Sequence, residues 1–180
     1  ALIDELCLPM FIKRSKAGSR YGVRKVIEVT GIAAVIEKAR QFDDLVIAEE
    51  YLEGREVTCG VFEHHGVVTA LPITEIVTEN EFFDFEAKYL GASREITPAD
   101  IAPQAQNTLQ ETSQRIYRML RLKGVCRMDY ILRNDVPHLI EINTVPGLSE
   151  ASIVPQQVKE FGMDLGTFFG NQLKGILKRN

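Results

Sequence analysis

Apolar and polar positions change their spacing several times along this chain of 180 residues. The apolar run LPMFIKR (8–14) and the β-rich VRKVIEV (23–29) flank the polar, glycine-punctuated SKAGSRYG, which predicts strand, loop, strand. Ile32, Val35, Ile36 and Ala39 follow the i, i+3, i+4, i+7 spacing of a helix face, with Thr30 as its cap. LVIAEEYL (45–52) reads as a buried strand. REVTCGVF and GVVTALPITEIV, split by residues 63–66, predict a hairpin. Residues 78–103 are long and weakly periodic, and such loops in a compact domain are usually functional or disordered. QAQNTLQETSQRIYRMLRL then aligns Ala105, Leu109, Ile116 and Leu120 on one helix face. A second hairpin, RMDYILRNDVPHLIEINTVPG (127–147), precedes two helices at 156–161 and 165–177, divided by Gly162, with Asp164 as cap. The opening ALIDELCLP reads as the end of a helix. The pattern predicts an α+β fold with mostly antiparallel strands.

Composition narrows the function classes. With 45% hydrophobic residues and a net charge of -4, the chain can bury a core. It carries no basic stripe for a nucleic-acid backbone or an anionic membrane. Cys7, Cys59 and Cys126 are too few and too widely spaced for a disulfide framework or a Cys-x-x-Cys clip, so a reducing cytoplasm is expected. No apolar run approaches the roughly 20 residues of a spanning helix, and no signal peptide pattern opens the chain. The start at Ala1, in mid-pattern, suggests part of something longer.

The second hairpin places charge where strands should be apolar. Side chains alternate along a strand, so Arg127 shares a face with Asp129, and Glu141 with Asn143. A turn symmetric about Asp135 sets Asp129 opposite Glu141 and Arg127 opposite Asn143, with paired Cβ atoms about 4.5 to 5.5 Å apart. Two carboxylates that close repel unless a cation lies between them, and an oxygen-only donor set suits Mg²⁺ rather than zinc. An exposed sheet face with an Arg–Asp ion pair explains the same residues. Against that, Met128, Tyr130, Ile131, Leu132, Leu139, Ile140 and Ile142 make both runs too apolar for a solvent edge. His64, His65 and His138 make no ligand pair.

Elsewhere the signals are weaker. Gly18 and Gly22 let backbone N–H groups converge on phosphate oxygens, with Lys13 adding charge, although a plain β-turn accounts for the same loop. Neither a P-loop nor a G-x-G-x-x-G motif occurs. Lys88 and Tyr89 in EAKY, and Glu49 and Glu56 in EEYLEGRE, read either as solvated side chains or as groups at a cleft edge.

Taken in order, FIKRSKAGSRYGVRKV, VIAEEYLEGREVTCGVF, FFDFEAKYLG, GVCRMDYIL and LIEINTVPGLSEASIVPQQ resemble the ATP-grasp enzymes, specifically the D-alanine–D-alanine ligase family. The pair EINTVPG and EAKY is the more specific part. Where the family usually reads Lys-Pro and two serines, this chain has Arg14 after Lys13, and Arg20 and Tyr21 after Ser19.

The resemblance implies an ATP-grasp fold, a mostly antiparallel sheet with packed helices. It makes residues 1–50 the second half of the central ATP-binding subdomain and 51–180 the C-terminal catalytic domain, with the family's N-terminal domain absent and the fragment alone inactive. The implied reaction transfers the γ-phosphoryl of ATP to one D-alanine, whose acyl phosphate is attacked by the amine of a second, for peptidoglycan precursor synthesis. Lys13 would contact the α and β phosphates and Lys88 the γ phosphate. Glu49 would bond the adenine amino group, Tyr51 and Leu52 would line the base, and Glu56 would hold the ribose. Asp129, Glu141 and Asn143 would bind two Mg²⁺ ions, with Mn²⁺ as a substitute. Arg127 and the Gly147 N–H would stabilise an oxyanion, and Ser152 with the backbone at Ile153 would bind the second substrate's carboxylate. Ser19 and Tyr89 would latch a mobile loop. The full-length protein is expected to be a homodimer. Another ATP-grasp ligase joining a different carboxylate and amine, and a nucleotide-binding module without catalysis, are the rival expectations.

Overall fold

A computed structural model describes residues 7–15, 23–78 and 93–177. The expected opening helix end, most of the glycine loop with Ser19, and the segment holding Lys88 and Tyr89 lie outside the described residues. The chain divides into two compact units, one holding the described residues up to Glu53, the other Gly54–Val77 with the residues from Arg94 onward.

In the first unit β1 (Met10–Arg14) lies between β2 (Arg24–Val26) and β3 (Val46–Glu50), both antiparallel to it. Helix α1 (Val29–Arg40) covers this sheet, packing Ile32, Val35 and Ile36 against Met10, Ile12 and Val26. Its N-cap is Glu28, the last residue with extended backbone, so Thr30 is already helical and does not cap it. The Thr30 hydroxyl donates instead to Glu28 Oε2 at 3.5 Å. Strand β3 is only half-buried, contrary to the sequence reading, because among the described residues a single helix covers this small sheet.

In the second unit the strand order is β7-β6-β4-β8-β9, with β5 also on β4. The run GVVTALPITEIV is two strands, not one. β4 (Arg55–His64) pairs with β6 (Thr74–Thr78) over Glu56–Thr58, then with β5 (Val67–Ala70) over Val61–His64. His65 and Gly66, with φ of 50° and 81°, close the β4–β5 turn in the left-handed region that two-residue hairpins require. β7 (Ser93–Ile96) is a strand inside the segment expected to be a loop.

Alternation on β4 and on β8 (Cys126–Arg133) separates two jobs. Val57, Cys59 and Val61, with Met128, Tyr130 and Leu132, turn toward α2 (Pro103–Met119) and its Ala105, Leu109, Ile116 and Tyr117. Fully burying one such aliphatic side chain contributes about 1.5 to 3 kcal/mol. Leu120 is excluded from this face: it is the C-cap, where the helix stops, and is 51% exposed. The opposite face carries Glu56, Thr58, Gly60 and Phe62 on β4, and Arg127 and Asp129 on β8.

At one end of that face Phe62 and Leu71 pack with α3 (Ile153–Glu160) and α4 (Leu165–Leu177) through Val154, Val158 and Phe168. Helix α3 begins three residues before the predicted start, because Pro155 falls in the first turn, where its missing N–H is no loss. Asp164 accepts the Thr167 N–H at 2.8 Å, as expected of a cap for α4. No helix among the described residues is long and apolar enough to cross a membrane.

Candidate active site

The β8–β9 hairpin brings the charged residues into register by two devices. Its turn is the two-residue pair Asn134–Asp135, with φ of 50° and 63°, so near the turn Arg133 pairs with Val136 and Tyr130 with Leu139. A register shift between Asp129 and Tyr130 leaves Ile140 as the extra residue of β9 (Val136–Asn143). Beyond it Asp129 lies opposite Glu141 and Arg127 opposite Asn143. The pairing is the one expected, although the turn is not centred on Asp135 alone.

β9 is the edge of its sheet, and Leu139 and Ile140 are 42% and 41% exposed, so the expectation of a strand too apolar for a solvent edge fails there. In the Arg–Asp pair itself Asp129 is buried and Arg127 mostly so. Arg127 Nε donates to Asp129 Oδ1 at 2.8 Å and Nη2 to Oδ2 at 2.7 Å, with side chains 16% and 8% exposed. The Thr58 hydroxyl adds a third hydrogen bond to Asp129 Oδ1 at 2.6 Å. Burial works against the Asp129 charge, yet the Arg127 hydrogen bonds and charge, helped by Thr58 and Glu141, outweigh it and hold the carboxyl below its ordinary value. The bond to Asp129 likewise raises Arg127, with Glu141 and Glu56 adding to it.

Glu141 is exposed and Asn143 half-buried. Asn143 Oδ1 accepts the Val145 N–H at 3.1 Å, an Asx turn that fixes the side chain. No three His, Cys, Asp or Glu side chains gather into a metal cluster among the described residues. A cation here would therefore rest on two carboxylates and one amide oxygen. That hard, oxygen-only set on facing strand positions fits Mg²⁺, with further positions left to water or phosphate.

Past β9 the chain turns back at Gly147. A Cβ there would meet Ser152 Oγ at 2.7 Å, so glycine permits the close approach. Ser152 is the N-cap of α3, and its hydroxyl pairs with Ser149 Oγ at 2.7 Å rather than with its own helix. The N–H groups that open α3, at Ile153 and Val154, point out of the first turn and favour an anion.

In the first unit Lys13 Nζ and Glu49 Oε1 form an ion pair at 2.6 Å, with side chains 27% and 41% exposed. Tyr51 donates its backbone N–H to Pro9 O, and Lys25 Nζ lies 4.0 Å from its ring centroid; Leu52 beside it is half-buried. Glu56 belongs to the other unit, on the Thr58 face of β4.

Residues 1–173 match the family described as D-ala D-ala ligase C-terminus. The chain belongs to the D-alanine–D-alanine ligase family. A D-alanine–D-alanine ligase of Christiangramia forsetii is 43% identical over 99% of this chain and 55% of its own length. Among solved structures, the VanG D-Ala:D-Ser ligase of Enterococcus faecalis is 33% identical, with a TM-score of 0.82 over 92% of this chain and 49% of its own. The D-alanine–D-alanine ligase of Bacillus anthracis is 26% identical, with a TM-score of 0.79 over 99% of this chain and 58% of its own. This chain thus spans about half the length of the curated relatives it matches. The likeness identifies the fold as that of the ATP-grasp ligases.

Two residues of this D-alanine–D-alanine ligase family chain escaped the sequence reading. Thr58 binds Asp129 across 71 residues of sequence, and Gln157 is a fully buried amide that reaches the backbone of β4. Their spacing gives no local signal. For Thr58, an uncharged polar residue inside a run of apolar ones is a hint; Gln157, beside Gln156, offers none.

Proposed function

We propose that the protein containing this chain joins two D-alanines to D-alanyl-D-alanine, with ATP converted to ADP and phosphate, for peptidoglycan precursor synthesis in the cytoplasm. The observation that carries the reading is the hydrogen-bonded set of Arg127 with the buried Asp129 and Thr58, facing Glu141 and Asn143, within a chain of this family. Asp129, Glu141 and Asn143 hold two Mg²⁺ ions, or Mn²⁺ in their place. The ions, when bound, supply neutralisation of phosphate charge, the main requirement of phosphoryl transfer.

Arg127 stabilises the oxyanion that develops as the amine attacks, with the Gly147 N–H as second donor; losing one such donor costs about 3 to 4 kcal/mol. Thr58 and Asp129 orient the Arg127 guanidinium for that task. Ser152 and the Ile153 N–H bind the carboxylate of the second amino acid, the hydroxyl being unused by its own helix. Lys13 binds the α and β phosphates, Glu49 the adenine amino group, Tyr51 and Leu52 the base, and Glu56 the ribose. Lys88 engages the γ phosphate, and Ser19 and Tyr89 latch a loop that excludes water from the acyl phosphate. The full-length protein acts as a homodimer.

The D-Ala:D-Ser ligase among the similar structures supports a second reading, in which D-serine is the second substrate. One experiment separates these. A chimera carrying this chain in place of the matched part of the Christiangramia forsetii relative is assayed for ADP release with D-alanine, D-serine, L-alanine or D-lactate, with and without Mg²⁺. Release that needs D-alanine, Mg²⁺ and Asp129 supports the ligase reading, and a D-serine preference moves it to the second. Nucleotide binding without turnover, unchanged by Asp129→Ala, would leave a binding module.

A further inference from the structure

Strand β4 changes neighbours in mid-course. It leaves β6 after Thr58 and takes up β5 at Val61, so on that side the intervening backbone has no continuous strand to pair with among the described residues. Leu71 N–H satisfies Gly60 O at 2.8 Å, but Thr58 O and Gly60 N–H still need partners. Gln157 of α3 supplies both. Its Oε1 accepts the Gly60 N–H at 3.0 Å, and its Nε2 donates to Thr58 O at 3.0 Å and to Thr74 Oγ1 at 3.1 Å. The side-chain amide thus stands in for a peptide unit of the missing strand.

Glycine at position 60 is what admits it, since a Cβ there would come within 2.6 Å of Gln157 Oε1 and 2.7 Å of Leu71 Cδ1. The two backbone sites it holds are those facing the charged pair: Thr58 lies opposite Asp129 and Gly60 opposite Arg127 on β8. Thr58 passes the constraint on through its hydroxyl to Asp129. Gln157 itself is the fifth residue of the helix that begins after Ser152, the residue assigned to the second substrate's carboxylate.

We infer that Gln157 is a positioning residue, whose amide fixes β4 at Thr58 and Gly60 so that Thr58 clamps Asp129 and Arg127 in register with the N-terminus of α3. This rests on the ligase reading for its functional sense, but the clamp has a readout of its own. The Arg127 Nε–H is held by Asp129, so its ¹⁵N–¹H signal and solvent exchange report the geometry directly.

The test compares the native chain with Gln157→Leu, which keeps the bulk and removes the amide, and with Val158→Ala, which loosens the same helix at a buried apolar position. Gln157→Leu is expected to move the Arg127 Nε–H signal and speed its exchange about tenfold, as when one hydrogen bond is withdrawn from local opening, while Val158→Ala leaves both unchanged. If Gln157→Leu does not fold, Gln157→Glu, which keeps the acceptor for Gly60 and loses the donor to Thr58, is read in the same way. An Arg127 signal that stays put in the folded Gln157 variant, or moves equally in Val158→Ala, overturns the inference and leaves Gln157 with a packing role. Mn²⁺ titration followed by electron paramagnetic resonance is run beside it. A native chain that binds no Mn²⁺ counts against the ligase reading, while the Arg127 signal still decides the positioning role.

Discussion

Asp129 combines two jobs that substitution can separate. Its carboxylate receives three hydrogen bonds in a buried place, so Asp129→Ala strands the Arg127 charge and should destabilise the chain by about 3 to 5 kcal/mol, measured by urea unfolding at neutral pH. Glu141 faces it from an exposed position on β9, where Glu141→Gln should change stability by less than about 0.5 kcal/mol. Both substitutions should weaken Mn²⁺ binding, because both remove a charged oxygen ligand. Mn²⁺ affinity unaffected by Glu141→Gln would remove that residue from the metal site. By contrast, Lys13 and Glu49 form a half-exposed pair, of the kind worth about 0 to 1 kcal/mol, so their assigned roles leave little trace in stability.

At the scale of elements, the hairpin shows what a sequence reveals and hides. Alternation, with a turn taken as symmetric about Asp135, predicts Arg127, Asp129, Glu141 and Asn143 on one face, and the observed pairing agrees because the bulge at Ile140 makes up for the Asn134–Asp135 turn. The bulge at Ile140 was not legible, since any apolar residue suits it and only pairing reveals it. The split of one β-rich run into β5 and β6 stayed hidden because apolar residues continue through Leu71 and Ile73 without a break. Thr58 and Gln157 depend on contacts across 71 and 99 residues, beyond any local pattern. Deleting Ile140 tests the bulge, for it makes Glu141 follow Leu139 directly and leaves a regular ladder in which Glu141 and Asn143 still face Asp129 and Arg127. The expected result is a folded hairpin that keeps Mn²⁺ binding, and lost binding would show that the bulge itself shapes the site. Helix α4 offers a pH test. Hydrogen bonds from the Thr167 side chain and then its N–H hold the Asp164 carboxyl below its ordinary value. With the folded value lower than the unfolded one, this cap is fully present above about pH 4 and is lost as pH falls through the folded value. The protection factors of the Thr167 and Phe168 amides, corrected for the slower intrinsic exchange in acid, should therefore fall on acidification from about pH 5 to about pH 2, and Asp164→Asn should abolish that dependence.

For the molecule as a whole, the described residues of the two units bury very different amounts of apolar surface. The first rests on Met10, Ile12, Val26 and Ile32 under one helix. The second gathers Val57, Cys59, Val61, Leu109, Ile116, Tyr117, Met128, Tyr130 and Leu132 on one side of its sheet, and Phe62, Val154, Val158 and Phe168 on the other. Opening free energy follows buried apolar area at about 25 cal/mol per Å², so the first unit should open well below the global transition. Native-state hydrogen exchange should then find amides in the centres of β1 and β3 at least about tenfold less protected than those of β4 and β8. The proposed division of labour adds a second signature, because a ligand protects the element it binds by a factor that grows with its concentration relative to Kd. ATP without metal should slow exchange mainly around Lys13 and Glu49, whereas Mn²⁺ alone should slow it at β8 and β9. If ATP protects neither β1 nor β3 at concentrations where it binds, the roles assigned to Lys13 and Glu49 fail, and the less stable unit has no nucleotide to order it.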